Sequence, residues 1–389
     1  MAPSDRSESV RQRNLASVLE LVHRGRSPSR ADLTSLTGLN RSTIGALVAE
    51  LVTLGLVVEG SPVVGTGVGR PSPRVSPAPG IGVIAVNPEV DAIAAGIVGL
   101  GANVHHRVRR EVAAAPTPEE AAAIIVELVT ELIWSAPDMR VVAVGLAIPG
   151  LVRTADGEVR WAPHLDWREV PFTRMVEDAV GLPTYADNDA TVGAHAEWLF
   201  GAGRGVDELL YLNGGASGIG GGAVVRGLSL GGSHGYAGEF GQNRPGVLNA
   251  ADRVTPRGTL EDEVSRARLL AAVGLGAADE PTLRGALMNT ARGAVAEEVT
   301  RQQRILGLAL ASAINIFNPE LVVLGGFLAT LLEWDAPVLR DITRAHTVPV
   351  AWEGVAIEPA ALGEDRLLIG AAELAFAPLL RNPARFASS

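Results

Sequence analysis

NIFNPELVVLGG, Asn315–Gly326, decides the fold. LVVLGG is apolar throughout and closed by two glycines, which predicts a strand buried on both faces. It follows a mostly helical stretch from Glu261 onward and precedes a last helix, IGAAELAFAPLL. Strands of this kind need helices on either side. The pattern repeats toward the N-terminus. IGVIAV and DAIAAGIVGL read as paired strands, PTPEEAAAIIVELVTELIWSA as a helix started by Pro116 and Thr117, and VVAVGLAIPG as a strand with a Pro-Gly turn. FTRMVEDAVGLP is helical, TYADND a short strand and turn, ATVGAHAEWLFGAG helical, and ELLYLNGGASGIGGGAVVRG strand, glycine turn, strand. Alternating strands and helices predict an α/β body, most simply two lobes around a cleft.

At 389 residues the chain has room for two or three domains. Apolar residues make up 47% of it, enough for a large core. There is no cysteine, which excludes disulfides and thiolate metal sites. All the positive charge is arginine, and the net charge is −10. That charge argues against a chain that is mostly a nucleic-acid surface, but nine Arg against six Asp and Glu leave residues 1–75 at +3. A mildly basic front sits on an acidic body. Residues 1–20 lack a signal-type apolar core, and no run reaches the ~18–20 apolar residues of a membrane span. The expectation is a soluble cytoplasmic protein without a membrane partner.

The basic front has its own pattern. Val10–Val22 is helical by spacing, PSRADLTSLT is a short helix, Gly38-Leu39-Asn40 a turn, and RSTIGALVAELVTLG a third helix ending at Gly55. LVVEG and PVV, separated by Gly60-Ser61, predict a two-stranded ribbon. Three helices and a ribbon make a winged helix-turn-helix, whose last helix offers its N-terminal side chains to the major groove. Candidate DNA-binding residues are Arg30, Asn40, Arg41, Ser42, Thr43 and Arg70. Arg70 lies in GTGVGRPSPR, an extended cationic segment that could enter a minor groove or could be a linker. The expected organisation is a tail over 1–9, a winged helix-turn-helix over 10–64, a Gly/Pro linker over 65–80, and lobes over 81–190 and 191–389. The C-terminal helix is expected to return to the first lobe.

AIPG (147–150), ADNDA (186–190), GGASGIGGG (214–222), GEFGQ (238–242) and NIFNPELVVLGG together resemble the ROK family, repressors, open reading frames and kinases of bacterial sugar metabolism. The resemblance covers nearly the whole chain, and with the winged helix and the GRP segment it is to the transcription-factor branch. It implies a two-lobed actin-like, ribonuclease-H-like body with a sugar in the cleft, assembled as a homodimer or homotetramer. Asn188 and Asp189 match the family's Asn-Asp pair, whose Asp is the general base in the kinases. Glu239 and Glu261 match its sugar-binding glutamates. With Gly150 and Gln242 these are the candidate ligand-binding residues. Carboxylates and an amide suit a sugar independently, because they accept and donate to vicinal hydroxyls. Each has a plainer reading: Asp189 as a helix cap, Asn188 as a turn residue, Glu239 as a solvated loop charge, Glu261 as a first-turn acid.

Two departures shape the function. Where the kinases carry Asp-x-Gly-Gly-Thr for phosphates, this chain has AVNPEVDA, Ala85–Ala92. Pro88 has no amide donor and Glu89 would repel phosphate. GGASGIGGG alone is weak support for ATP and could be a tight turn. The family's zinc site, one His and three Cys, is replaced by Gln242 and Thr259 with no thiol between, so no zinc and no cofactor are expected. The leading expectation is a sugar-responsive repressor that binds an inverted-repeat operator and is not an enzyme. The alternatives are a sugar kinase with a DNA-binding appendage and a regulator answering a non-sugar ligand or a protein.

Overall fold

A computed structural model describes residues 3–25, 27–60, 72–290 and 293–386. The N-terminal head contains α1 (Pro3–Gly25), α2 (Arg30–Thr37) and α3 (Arg41–Thr53). α1 starts seven residues before the Val10 read from spacing, so most of the stretch expected as a loose tail is helical. Ser29 and Asp32 form a reciprocal capping box on α2, and Gly38 ends that helix in the left-handed region at φ 67°. Ile44, Leu47, Val48 and Leu51 bury one face of α3, as their spacing requires.

The ribbon differs from expectation. β1 (Val57–Glu59) pairs antiparallel with β2 (Val75–Pro77), not with Pro62–Val64, which lies outside the described residues. The reason is burial: Val75 is fully buried in the head's core. Main-chain bonds also run from Val75 to Pro28 O and from Arg30 to Pro73 O, so this segment clamps the start of α2. Residues 73–78 of the stretch expected as linker are therefore part of the head.

The body has two five-stranded sheets of like topology. The first contains β3 (Ile81–Pro88), β4 (Ala92–Gly99), β5 (Asn103–Glu111), β6 (Arg140–Ile148) and, beyond α4 (Pro118–Ser135), β7 (Leu151–Arg153), β8 (Glu158–Ala162), β9 (Trp167–Val170) and α5 (Phe172–Val180), β10 (Thr184–Asn188). Its order is β10-β6-β3-β4-β5, with β3–β4–β5 an antiparallel meander and β6 and β10 parallel to β3. β7, β8 and β9 form a separate small sheet. α6 (Asp189–Phe200) crosses to the second sheet, made of β11 (Leu209–Gly215), β12 (Gly218–Val225), β13 (Leu228–Ser229), β14 (Leu321–Gly326) and β15 (Ala356–Pro359). Its order, β13-β12-β11-β14-β15, again sets two parallel strands beside an antiparallel meander. Helices α7 (Leu260–Glu263), α8 (Arg266–Ala272), α9 (Glu280–Asn289), α10 (Ala294–Phe317), α11 (Phe327–Trp334), α12 (Ala336–Ala345) and α13 (Pro349–Trp352) complete this lobe. The duplicated topology is that of the two-lobed actin-like, ribonuclease-H-like body.

The last helix, α14 (Arg366–Arg381), packs on β3 and β6 of the first sheet and against α6. One hydrophobic cluster runs from Leu15 and Leu19 of α1 through Val83 of β3 to Phe376 and Leu379 of α14, so head and body share a core. Among the described residues no helix is long and apolar enough to cross a membrane.

Candidate functional site

A cleft of about 250 Å³ opens between the lobes, and all six expected ligand-binding residues line it. Asn188 ends β10 and caps α6: its Oδ1 accepts from the N–H groups of Ala190 and Thr191 at 2.9 and 3.0 Å. Its Nδ2 donates to Gly150 O at 2.9 Å, tying the β6 turn to the helix start. The capping role considered for Asp189 thus belongs to Asn188, and Asp189 is the first helical residue. Gly150 also has a packing duty. A Cβ there would lie 2.6 Å from Trp161 O and 2.7 Å from Ala162, so glycine is needed for β8 to sit against the turn.

The far wall comes from the second lobe. Glu239 precedes a single 3₁₀ turn, Phe240–Gln242. Gln242 Nε2 donates to Glu261 Oε1 at 2.6 Å, and Glu261 sits in the first turn of α7, which Thr259 caps. Asn213 Oδ1 at the cleft is buried and takes no hydrogen bond. The glycine run of β12 serves close packing: Cβ atoms at Gly220 and Gly222 would meet Ala190 and Ala194 of α6 at 2.5 and 2.6 Å.

The cleft is acidic. Burial pushes the Asp189 carboxyl up to about 6, and Glu89 and Glu239 add to the rise against the Ala190 amide and Arg366. Burial also takes neighbouring Asp187 to about 6. Desolvation, then Glu261, raises Glu239. The β3–β4 turn that replaces a phosphate loop is held by Asn87, whose Nδ2 donates to Glu89 at 2.8 Å, and by Arg109 at 3.1 Å. Charge of this sign suits a neutral polyhydroxyl ligand and opposes a phosphate.

A loop that carries cleft residues, between Gln242 and Glu263, is held by ion pairs. The Glu263 carboxylate accepts from Val254 N, Thr255 N and Thr255 Oγ1. Arg301 donates to Asp252 O and Glu263 O at 2.8 and 2.7 Å, and Arg304 grips Asp252. Among the described residues no cluster of three metal-ligating side chains occurs.

Sequence reasoning did not find Trp161, Pro163, His164, Asn213 or Arg257, which also line the cleft. GEVRWAPHLDW gave no signal of this, because Val159 and Trp161 alternate as two residues of one strand face would.

In the head, Asn40 caps α3, accepting from Thr43 N at 2.8 Å and Ser42 Oγ at 2.7 Å. Arg41 is exposed at the helix start and has no acidic partner among the described residues. Arg30 instead makes a bidentate pair with Glu59 of β1, both contacts 2.6 Å. Arg70 lies outside the described residues.

The head is plugged into the body by the last turn of α1. His23 Nδ1 accepts from Gly101 N at 2.9 Å, which leaves Nε2 carrying the proton donated to Glu373 Oε1 at 2.9 Å. The His23 ring meets Phe200 of α6 and Phe376 of α14 edge-on. Next to it, Arg24 lies over Trp198 of α6, 5.3 Å from the ring centre. α6 therefore starts in the cleft and ends against the head, about 18 Å away for a 12-residue helix.

The ROK family model matches residues 83–377. The chain belongs to the ROK family. Its ROK relatives separate by how much of the chain they cover. The xylose repressor of Caldicellulosiruptor bescii is 25% identical and covers 96% of this chain and 98% of its own length. The glucokinase of Streptomyces coelicolor is 30% identical over 308 residues, 74% of this chain and 95% of its own length. That aligned length is one the ROK body alone would fill. A crystal structure of a ROK family transcriptional regulator, a homologue of the E. coli MLC protein, superposes with a TM-score of 0.74. At 23% identity, it covers 96% of this chain and 97% of its own and shares the fold.

Proposed function

We propose that this ROK protein is a sugar-responsive transcriptional repressor, with the head on operator DNA and a neutral sugar in the cleft as the effector. The carrying observation is α6. Asn188 and Asp189 at its start line the cleft, while Trp198 and Phe200 at its end hold Arg24 and His23 of the head. A ligand that pulls on the start of α6 biases the placement of the head, the differential contact that coupling requires. Arg41 and the amides at the start of α3 would face the operator, with Thr43 and Ser42 beside them. Two heads related by two-fold symmetry would read an inverted repeat as a homodimer or homotetramer in the bacterial cytoplasm. Because full-length relatives are named xylose repressors, D-xylose heads the ligand panel.

The glucokinase relatives favour a second reading, phosphorylation of a hexose. Pro88 without an N–H and the negative charge that Glu89 adds near Asp189 speak against it. Thermal-shift screening with aldoses, followed by a coupled ATP assay on the binders, separates the two. The repressor reading expects a sugar-dependent rise in melting temperature without turnover. Hexose phosphorylation abolished by Asp189→Asn would replace it with the kinase.

A further inference from the structure

Trp161 is built to face the cleft. Strand alternation would put it on the same face as Val159, two residues earlier, which is fully buried in the first lobe. A β-bulge prevents this. Val152 of β7 opposes Val159, but the next residue of β7, Leu151, opposes Trp161, leaving Arg160 as the extra residue. Bulges re-aim side chains. Here Ala162 returns to the core in Trp161's place, and Trp161, 44% exposed, lines the cleft beside Pro149, Leu151 and Pro163. Gly150 is required by the same arrangement, since any Cβ there would strike the Trp161 carbonyl.

The cleft therefore has one apolar, aromatic wall and, from the other elements, Asp189, Glu239, Gln242 and Glu261. A pyranose ring is two-sided in a matching way: hydroxyls radiate from its edge, and C–H groups cover its faces. An open-chain polyol offers the same hydroxyls without a flat face. A cleft of about 250 Å³ also falls below the roughly 300 Å³ where drug-sized sites begin. We propose that Trp161 is the stacking platform for one face of the effector, which is thereby a ring-form aldose with an unsubstituted apolar face. This rests on the sugar reading above.

The test is calorimetric titration of the full chain with D-xylose, D-glucose, xylitol and sorbitol, repeated with W161A and W161F, with tryptophan fluorescence read in parallel. At least one aldose is expected to bind and to change the fluorescence, and neither polyol to bind comparably. W161A should weaken that aldose about tenfold or more, and W161F by only a few fold while losing the fluorescence change. Trp161 is outside the core, so both variants should keep the parent melting temperature, and W161F alone still tests the platform through its fluorescence. Equal affinity in W161A, or polyols that bind as well as aldoses, overturns the proposal while leaving a sugar sensor. If no aldose binds the unaltered protein, the sugar reading falls and this inference falls with it.

Discussion

Asp189 carries a penalty that the proposed sugar contact would explain. Its carboxyl is raised to about 6 in the folded chain, above the ordinary value of 3.8. A raised acid destabilises the fold where it is ionised: the penalty is absent below about pH 4, grows between 4 and 6, and is complete above 6. The two values correspond to about 3 kcal/mol. Asp189→Asn is therefore expected to raise the melting temperature of ligand-free protein at pH 8, and to do so much less at pH 4. The same change should weaken sugar binding, since a carboxylate that accepts two hydroxyls becomes an amide that accepts fewer. Melting scans at the two pH values and one titration check both halves. In the head, Arg41→Ala should weaken operator binding and lower the salt slope by about one, whereas Arg30→Ala should loosen the wing, because Arg30 already holds Glu59. The six cleft residues were legible because motif residues keep their neighbours in sequence. Trp161 was not legible, because its direction depends on a bulge set by pairing with another strand.

At the scale of elements, two assemblies do work that no single residue performs. The first is the ion-paired loop before α7. Glu263 is 1% and Arg301 7% exposed. Burial alone would raise Glu263, but bonds from Thr255 and Val254, with Arg301 beside them, outweigh it and hold the carboxyl below the usual range. Arg301→Ala leaves that charge buried and unpaired, so a loss of about 3–5 kcal/mol is expected, read as a lower denaturant midpoint. A chelator should leave the midpoint of the unaltered protein unchanged. The second is α6 with its socket for α1. Glu373→Ala should leave operator binding near normal but reduce the sugar-dependent change to less than about twofold, against about tenfold in the parent. Anisotropy with labelled operator reads both. α3 and α4, each with one buried face, were readable from periodicity, and β3 and β4, buried nearly throughout, from their apolar runs. β5 was not, because its residues are exposed or half-buried along its length and carry no alternation. β2 was missed because its partner choice depends on Val75 reaching a core that local sequence does not reveal.

The whole molecule separates two charges. A head at +3 sits on a chain whose total is −10. Attraction to DNA is thus confined to one end, and the acidic body discourages wrapping, so operator affinity should fall steeply with added salt. The common core of α1, β3 and α14 makes head placement depend on body conformation and gives the cleft its reach over DNA. The two-lobed body and the helical head were foreseeable from alternating strands, helices and the basic front. The depth of their union was not, since α1 and α14 are far apart in sequence and meet through the buried His23–Glu373 contact. The most direct measurement is operator affinity with and without sugar: anisotropy of labelled DNA from upstream of the protein's own gene, at physiological salt, titrated with D-xylose and then D-glucose. The account predicts that an aldose that binds the cleft weakens operator binding about tenfold, and that Asp189→Asn removes the effect. An affinity untouched by every sugar that binds would contradict it.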